Sequence, residues 1–256
     1  FKSVPAINGD RNAQVCPLVQ GETYYLQSTF RPRIDQLKQR GTRVFNPLID
    51  LADGLAGART PLVATAIALG LSRSNAEKAF AKAAAVMNAC LEDMRAIGRQ
   101  ALEELAQEPD KICVVLFARP YNGFVEEAHK GIPTKFASRG VMVLPLDFLD
   151  LADLPTRRHM YWGMGQRIMT AAGKVKPHPQ LFATYITNFS CGPDSFLIGY
   201  FRDLMGRKPS LTLELDSHTA DAGLETRIEA FLDIVKAYRQ LEEKIETSTA
   251  HGDYRP

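Results

Sequence analysis

The chain has 256 residues, 45% of them hydrophobic and 23% charged, with a formal net charge of +2. That is ordinary globular composition with length enough for a large core. It has no long basic or acidic block, which argues against a nucleic-acid surface, and no run approaches the roughly 18 apolar residues of a membrane span.

No signal peptide is visible. Cysteines 16, 90, 113 and 191 are far apart and form no CxxC pair. Neither a disulfide framework nor a local zinc knuckle is indicated, and a reducing cytoplasmic setting is expected. The chain opens on Phe1-Lys2-Ser3 rather than on Met, which reads as a fragment of something longer.

Residues 1–22 read as irregular, around Pro5, Gly9 and Pro17. Within them Cys16-Pro-Leu-Val-Gln-Gly21 sets a proline directly after a cysteine. Proline withholds a backbone donor, and the pattern is common around iron–sulfur clusters; a structural cysteine in a loop fits it as well. Residues 23–30 suit a strand or a short helix. Residues 43–48 predict a strand stopped by Pro47. Residues 60–69, nearly all apolar, predict a buried helix starting at Pro61. Ser74-Asn75-Ala76-Glu77 reads as a capping box, opening a helix to about Gln107. Phe80, Met87, Leu91, Met94, Leu102 and Leu105 keep helical spacing along it. Cys90 lies near that stripe and reads as core.

After Glu108-Pro109-Asp110 the pattern changes. Apolar runs at 112–118, 141–146, 181–186 and 210–215 predict four strands. A loop at 119–124, a short helix at 133–138 closed by Gly140, a helix or two over 150–174 and a helix at 193–205 alternate with them. Leu224, Ile228, Phe231, Val235, Tyr238 and Ile245 mark a long amphipathic helix, and residues 247–256 read as a frayed tail. The alternation predicts an α/β fold. A Rossmann-like parallel sheet is flanked by helices over 109–246, and a smaller N-terminal α/β or helical lobe with a long connecting helix covers 1–108.

The strand ends of such a sheet collect polar residues on one edge, where ligands sit. Arg119, Tyr121 and Asn122 follow the first strand, Asp147 the second, Asn188, Cys191 and Asp194 the third, and Asp216, Ser217 and His218 the fourth. Cys191 stands at a strand-to-helix junction, with Gly192 allowing a tight turn and Pro193 suited to the first helical position. The helix N-terminus there would favour a thiolate. Asp216 and Ser217 serve equally as caps of the last helix, and a buried structural cysteine remains an alternative for Cys191. No GxGxxG or P-loop is present. Two chemistries suit the cysteines: a Cys191 nucleophile with His218 as base and Asp216 or Glu214 as orienter, or an iron–sulfur site drawing thiolates from Cys16 and Cys191. A small-molecule binding module without a cluster is a third reading.

Three segments resemble one known family: Phe117-Ala-Arg-Pro-Tyr-Asn-Gly-Phe124 with the following residues 131–148; Asn188-Phe-Ser-Cys-Gly-Pro-Asp-Ser-Phe196; and residues 211–223. The Cys16–Gly21 segment fits it too. Together they are similar to the activase-related proteins of the 2-hydroxyacyl-CoA dehydratase and benzoyl-CoA reductase system, which are themselves similar to double-cubane cluster proteins. The resemblance implies Rossmann-like lobes around an iron–sulfur cluster of the 4Fe–4S or double-cubane type, with Cys16 and Cys191 where family cysteines stand. A further family cysteine would lie before Phe1, so the cluster could be absent from a fragment. Cys90 and Cys113 match no ligand position. Arg119, Tyr121, Asn122 and Asp194 are then candidate cofactor-binding residues. The resemblance further implies low-potential electron transfer in anaerobic metabolism, driven by ATPase activase domains on the same longer chain or a partner subunit. An acyl-CoA is a candidate ligand and a homodimer a candidate assembly.

Overall fold

The structure is a computed structural model that describes residues 1–9, 13–189 and 191–250, with side chains to residue 245. The chain divides into two compact units, Phe1–Asp93 with Ala152–Arg167, and Met94–Leu151 with the chain from Ile168 onward.

In the first unit the proline after Cys16 starts a helix. Its missing N–H costs nothing at the first helical position, and α1 runs Pro17–Thr29. The irregular stretch expected over residues 1–22 therefore ends at Cys16, and the ambiguous 23–30 is helical to Thr29. A second proline, Pro32, opens α2 (Arg31–Gln39) in the same way. Neither helix buries a residue. The strand expected at 43–48 does not form. Pro47 withholds a donor, Val44, Phe45 and Leu48 are exposed, and the pairing found nearby is a single bridge from Asp50 to Ser3. Ser3 also bridges Gln14, which bridges Trp162.

Helix α3 (Arg59–Ala68) starts two residues before Pro61, and of its residues only Val63 is buried, so it is not the buried helix its composition suggests. Helix α4 (Arg73–Ala106) is capped by Ser72, not Ser74. Ser72 Oγ accepts the Asn75 N–H at 3.2 Å and its carbonyl accepts that of Ala76 at 2.9 Å. Ser74 is already inside the helix, and Glu77 pairs with Arg59 at 2.9 Å instead of closing a box. Cys90 is exposed rather than core. Its neighbours Val86 and Met87 are exposed too: helical spacing defines a face, but burial needs something packed on it.

The second unit carries the sheet. Strand β1 (Cys113–Phe117) leads to α5 (Pro120–Gly123), α6 (Glu126–His129) and α7 (Ile132–Ala137). Then come β2 (Met142–Pro145), α8 (Gly163–Val175, which begins in the first unit), β3 (Leu181–Asn188), α9 (Gly192–Met205), β4 (Ser210–Leu215) and α10 (Asp221–Ala250). The strand order is β2-β1-β3-β4, all parallel, with Cys113 beside both Met142 and Leu181, and Thr184 beside Leu211. This is the α/β parallel sheet that the alternation predicts. Gly140 closes the turn after α7 at φ 73°, as expected. Helix α10 continues through residues 247–250, where a tail was expected; residues 251–256 lie outside the described residues.

Alternation along the strands sorts side chains to two faces. Val114, Leu116, Phe182, Ile186 and Leu213 pack on Ile132 and Phe136 of α7 and on Leu224, Ile228, Phe231 and Val235 of α10. On the other face, Phe117 and Tyr185 each lie 5.2 Å from the ring of Phe201 on α9. Full burial of each such side chain contributes about 1.5–3 kcal/mol. Together they fix α9 over the C-terminal half of β3.

Candidate functional site

Parallel strands β1 and β3 are neighbours, so the residues that leave their C-terminal ends meet. After β1, Arg119 caps the one-turn helix α5, where the sequence suggests only a loop. Asn122 is fully buried, and its Oδ1 accepts the Arg119 N–H at 2.8 Å. Its Nδ2 lies 3.5 Å from the Ile186 carbonyl and from Asn188 Oδ1. Asn122 thus ties the Arg119 loop to the end of β3. Tyr121, next to it, is half exposed.

After β3, Cys191 is the N-cap of α9, and Asp194 follows in the first turn. Asp194 is 1% exposed, so its carboxyl group is taken out of water. Isolated, such a burial would be prohibitive. Three donors make it tolerable: Arg119 Nη1 at 2.6 Å, Tyr185 O–H at 2.7 Å, and the Thr187 hydroxyl. Burial works against the Arg119 charge, but the Asp194 carboxylate outweighs it and raises the guanidinium pKa. Burial first, and then Asp194, raises the Tyr185 phenol.

Cys191 is half-buried and borders a cavity of about 320 Å³, lined also by Thr187, Asn188, Asp194, Ile198 and Glu214. Burial raises its thiol pKa; the Asp194 backbone N–H works the other way, the Asp194 carboxylate adds to the rise and Arg119 opposes it. Gly192 is not a tight-turn glycine. It is the first residue of α9 and has no positive φ. Beyond its chain neighbours and its own helix backbone, nothing lies within 4 Å of where its Cβ would stand, and it lines the cavity beside Cys191.

The two expected ligands stand in similar local settings. Cys16 is the N-cap residue of α1, with Pro17 in the first helical position, and Cys191 is the N-cap residue of α9, where Gly192 takes the first helical position and Pro193 the second rather than the first. Both are half-buried. A helix N-terminus and a fixed φ thus stand behind each sulfur. Cys16 belongs to the first unit and Cys191 to the second. Among the described residues no group of three or more Cys, His, Asp and Glu gathers. Cys113 is fully buried on β1 and burial pushes its thiol up to about 12, as suits an inert core cysteine.

His218 and Asp216 follow β4, both exposed. Asp216 Oδ1 accepts the Thr219 hydroxyl at 2.8 Å and the His218 backbone N–H at 2.9 Å. The carboxylate is engaged in its own turn, and His218 is not among the residues lining the Cys191 cavity. Asp147 sits in a 3-10 turn after β2. Tyr185 and Thr187, the two hydroxyls that hold Asp194, are invisible in an apolar strand pattern; their alternate spacing is the signal that could have found them.

A family model described as CoA enzyme activase uncharacterised domain matches residues 2–149. The match includes Cys16, Arg119, Tyr121 and Asn122, and ends before Cys191 and Asp194. No curated protein and no solved structure matches the chain. No helix among the described residues is long and apolar enough to cross a membrane.

Proposed function

The chain belongs to the family described as CoA enzyme activase uncharacterised domain, and on that premise we propose that it is an iron–sulfur-cluster-binding part of an ATP-driven, low-potential electron-transfer system of the 2-hydroxyacyl-CoA dehydratase type. The observation that carries the reading is the similar local setting of Cys16 and Cys191: each half-buried cysteine stands at the N-cap position of a helix with proline within its first two residues. The donor chemistry fits, since thiolates are the usual ligands of such clusters. Two thiolates are fewer than a cluster normally takes, so further ligands would come from elsewhere in the assembly.

Bound there, a cluster of the 4Fe–4S or double-cubane type supplies one-electron chemistry at low potential. Cys16 and Cys191 would ligate it. Arg119, paired with Asp194 and acting electrostatically on Cys191, and the N-termini of α1 and α9 would offset the negative charge of thiolates and sulfides. Asn122 would hold the Arg119 loop in place. The partners of this reading are ATPase activase domains, on the same longer chain or on another subunit, and an acyl-CoA acceptor. A thiol nucleophile at Cys191 finds less support, because Asp216 is engaged in its own turn rather than with the His218 ring.

The test is anaerobic reconstitution of the full-length protein, with iron and sulfide analysis and visible absorbance. Cys191→Ala and Cys16→Ala lose the cluster's absorbance, whereas Cys90→Ala keeps it. Equal absorbance in Cys191→Ala and Cys90→Ala returns Cys191 to a structural role.

A further inference from the structure

The hydrogen bonds of Asp194 come from two elements other than its own. Tyr185 and Thr187 lie two apart on β3, so both side chains face α9. Tyr185 donates to Oδ1 at 2.7 Å; Thr187 and Arg119 share Oδ2. Tyr185 is fully buried and Thr187 1% exposed. With both oxygens taken, the carboxylate cannot rotate without leaving a buried polar group unpaired. Asp194 is three residues after Cys191, so carboxylate and sulfur ride on the same helical turn. Thr187 and Asp194 also line the cavity that Cys191 borders.

We propose that Tyr185 and Thr187 are positioning residues of the Cys191 site: acting through Asp194, they hold the sulfur at the cavity wall and the Arg119 guanidinium beside it. The inference rests on Cys191 being the functional sulfur, as in the reading above. The Thr187 hydroxyl is the more separable half. Without it the 191–194 turn loosens while the aromatic packing of Tyr185 on Phe201 stays.

The experiment reads the reduced, iron-free full chain. Iodoacetamide labelling is followed at each cysteine by peptide mass spectrometry. In Thr187→Val and Tyr185→Phe, Cys191 labels several-fold faster than in the wild type; in Thr187→Ser, which keeps the hydroxyl, it labels at the wild-type rate. Cys113 stays unlabelled, reporting an intact sheet. Should Tyr185→Phe open the core and expose Cys113, the Thr187 pair decides alone. An unchanged Cys191 rate in Thr187→Val overturns the proposal, and so does a Thr187→Ser chain that labels as fast as Thr187→Val. Iron and sulfide content is measured separately: a wild-type chain that takes up neither rejects the cluster reading, while the labelling rates still decide this one.

Discussion

At Gly98 two backbones approach closely. A Cβ built there would stand 1.9 Å from the Phe148 carbonyl oxygen. The contact is with backbone, so no side chain can swing away. Alanine normally gains about 1 kcal/mol over glycine inside a helix, but overpacking costs typically 1–3 kcal/mol and occasionally more. Gly98→Ala should therefore destabilise, by about 2 kcal/mol in chemical denaturation, against the direction of helix propensity. A stabilised Gly98→Ala would mean that α4 does not approach Phe148 this closely. The same kind of close approach is absent at Gly192, where an added Cβ meets open space. That glycine borders a cavity, and Gly192→Ala should leave stability within about 0.5 kcal/mol, as is usual away from packed features.

Among the elements, the strands were legible and several helix starts were not. Four short apolar runs separated by helices leave few alternatives to a parallel sheet, because right-handed crossovers prune the topologies. The Arg43–Leu48 run has strand-like composition but no neighbour to pair with, and pairing is a tertiary fact. Pro17 is ambiguous in sequence: it breaks a helix from within and starts one from its first position. At α4 two serines competed for the cap, and Gly70, at φ 110°, lets the chain turn early enough for Ser72 to take it. Ser72→Ala should cost about 1 kcal/mol of stability, the usual value of a lost N-cap, and Ser74→Ala close to nothing. Equal losses would place the cap differently. Of the candidate site, Arg119, Asn122, Cys191 and Asp194 were legible as strand-end residues, because a parallel sheet gathers its strand ends at one edge. The holding hydroxyls of Tyr185 and Thr187 were not, since only the placement of α9 over one face of β3 tells which strand residues meet Asp194.

For the molecule as a whole, one shifted group in each unit, Asp50 in the first and Lys208 in the second, responds to pH, and the two do so at opposite ends of the scale. In the first unit, Lys2, Ser3 and the Ala52 N–H hold Asp50 at about 2, below its ordinary 3.8. A depressed carboxylate stabilises the fold above its unfolded pKa, and that contribution fades as pH falls from about 4 toward 2. In the second unit, burial lowers Lys208 from 10.5 to about 8, with Glu242 opposing. Its ammonium lies 4.8 Å over the Phe182 ring and donates to the Val175 carbonyl at 3.3 Å and to that of His178. Here the folded chain binds fewer protons than the unfolded one between pH 8 and 10.5. The Lys208 contribution to stability therefore rises with pH across that window, by at most about 3.5 kcal/mol at roughly 1.4 kcal/mol per unit, while Cys113, whose buried thiol is pushed up from 9.0 to about 12, opposes it above about pH 9. The carbonyl contacts favour the charged form and reduce that figure. Denaturation midpoints measured from pH 2 to 11, taken as the difference between wild type and each variant so that the opposing Cys113 contribution cancels, should show both limbs. Asp50→Asn should reduce the acid limb, to which Asp216 and Glu225 also contribute, and leave the alkaline one; Lys208→Met should remove the alkaline one and leave the acid one. Loss of both limbs in either variant would mean that the two groups do not titrate independently, and an alkaline limb that survives in Lys208→Met would assign it to another group.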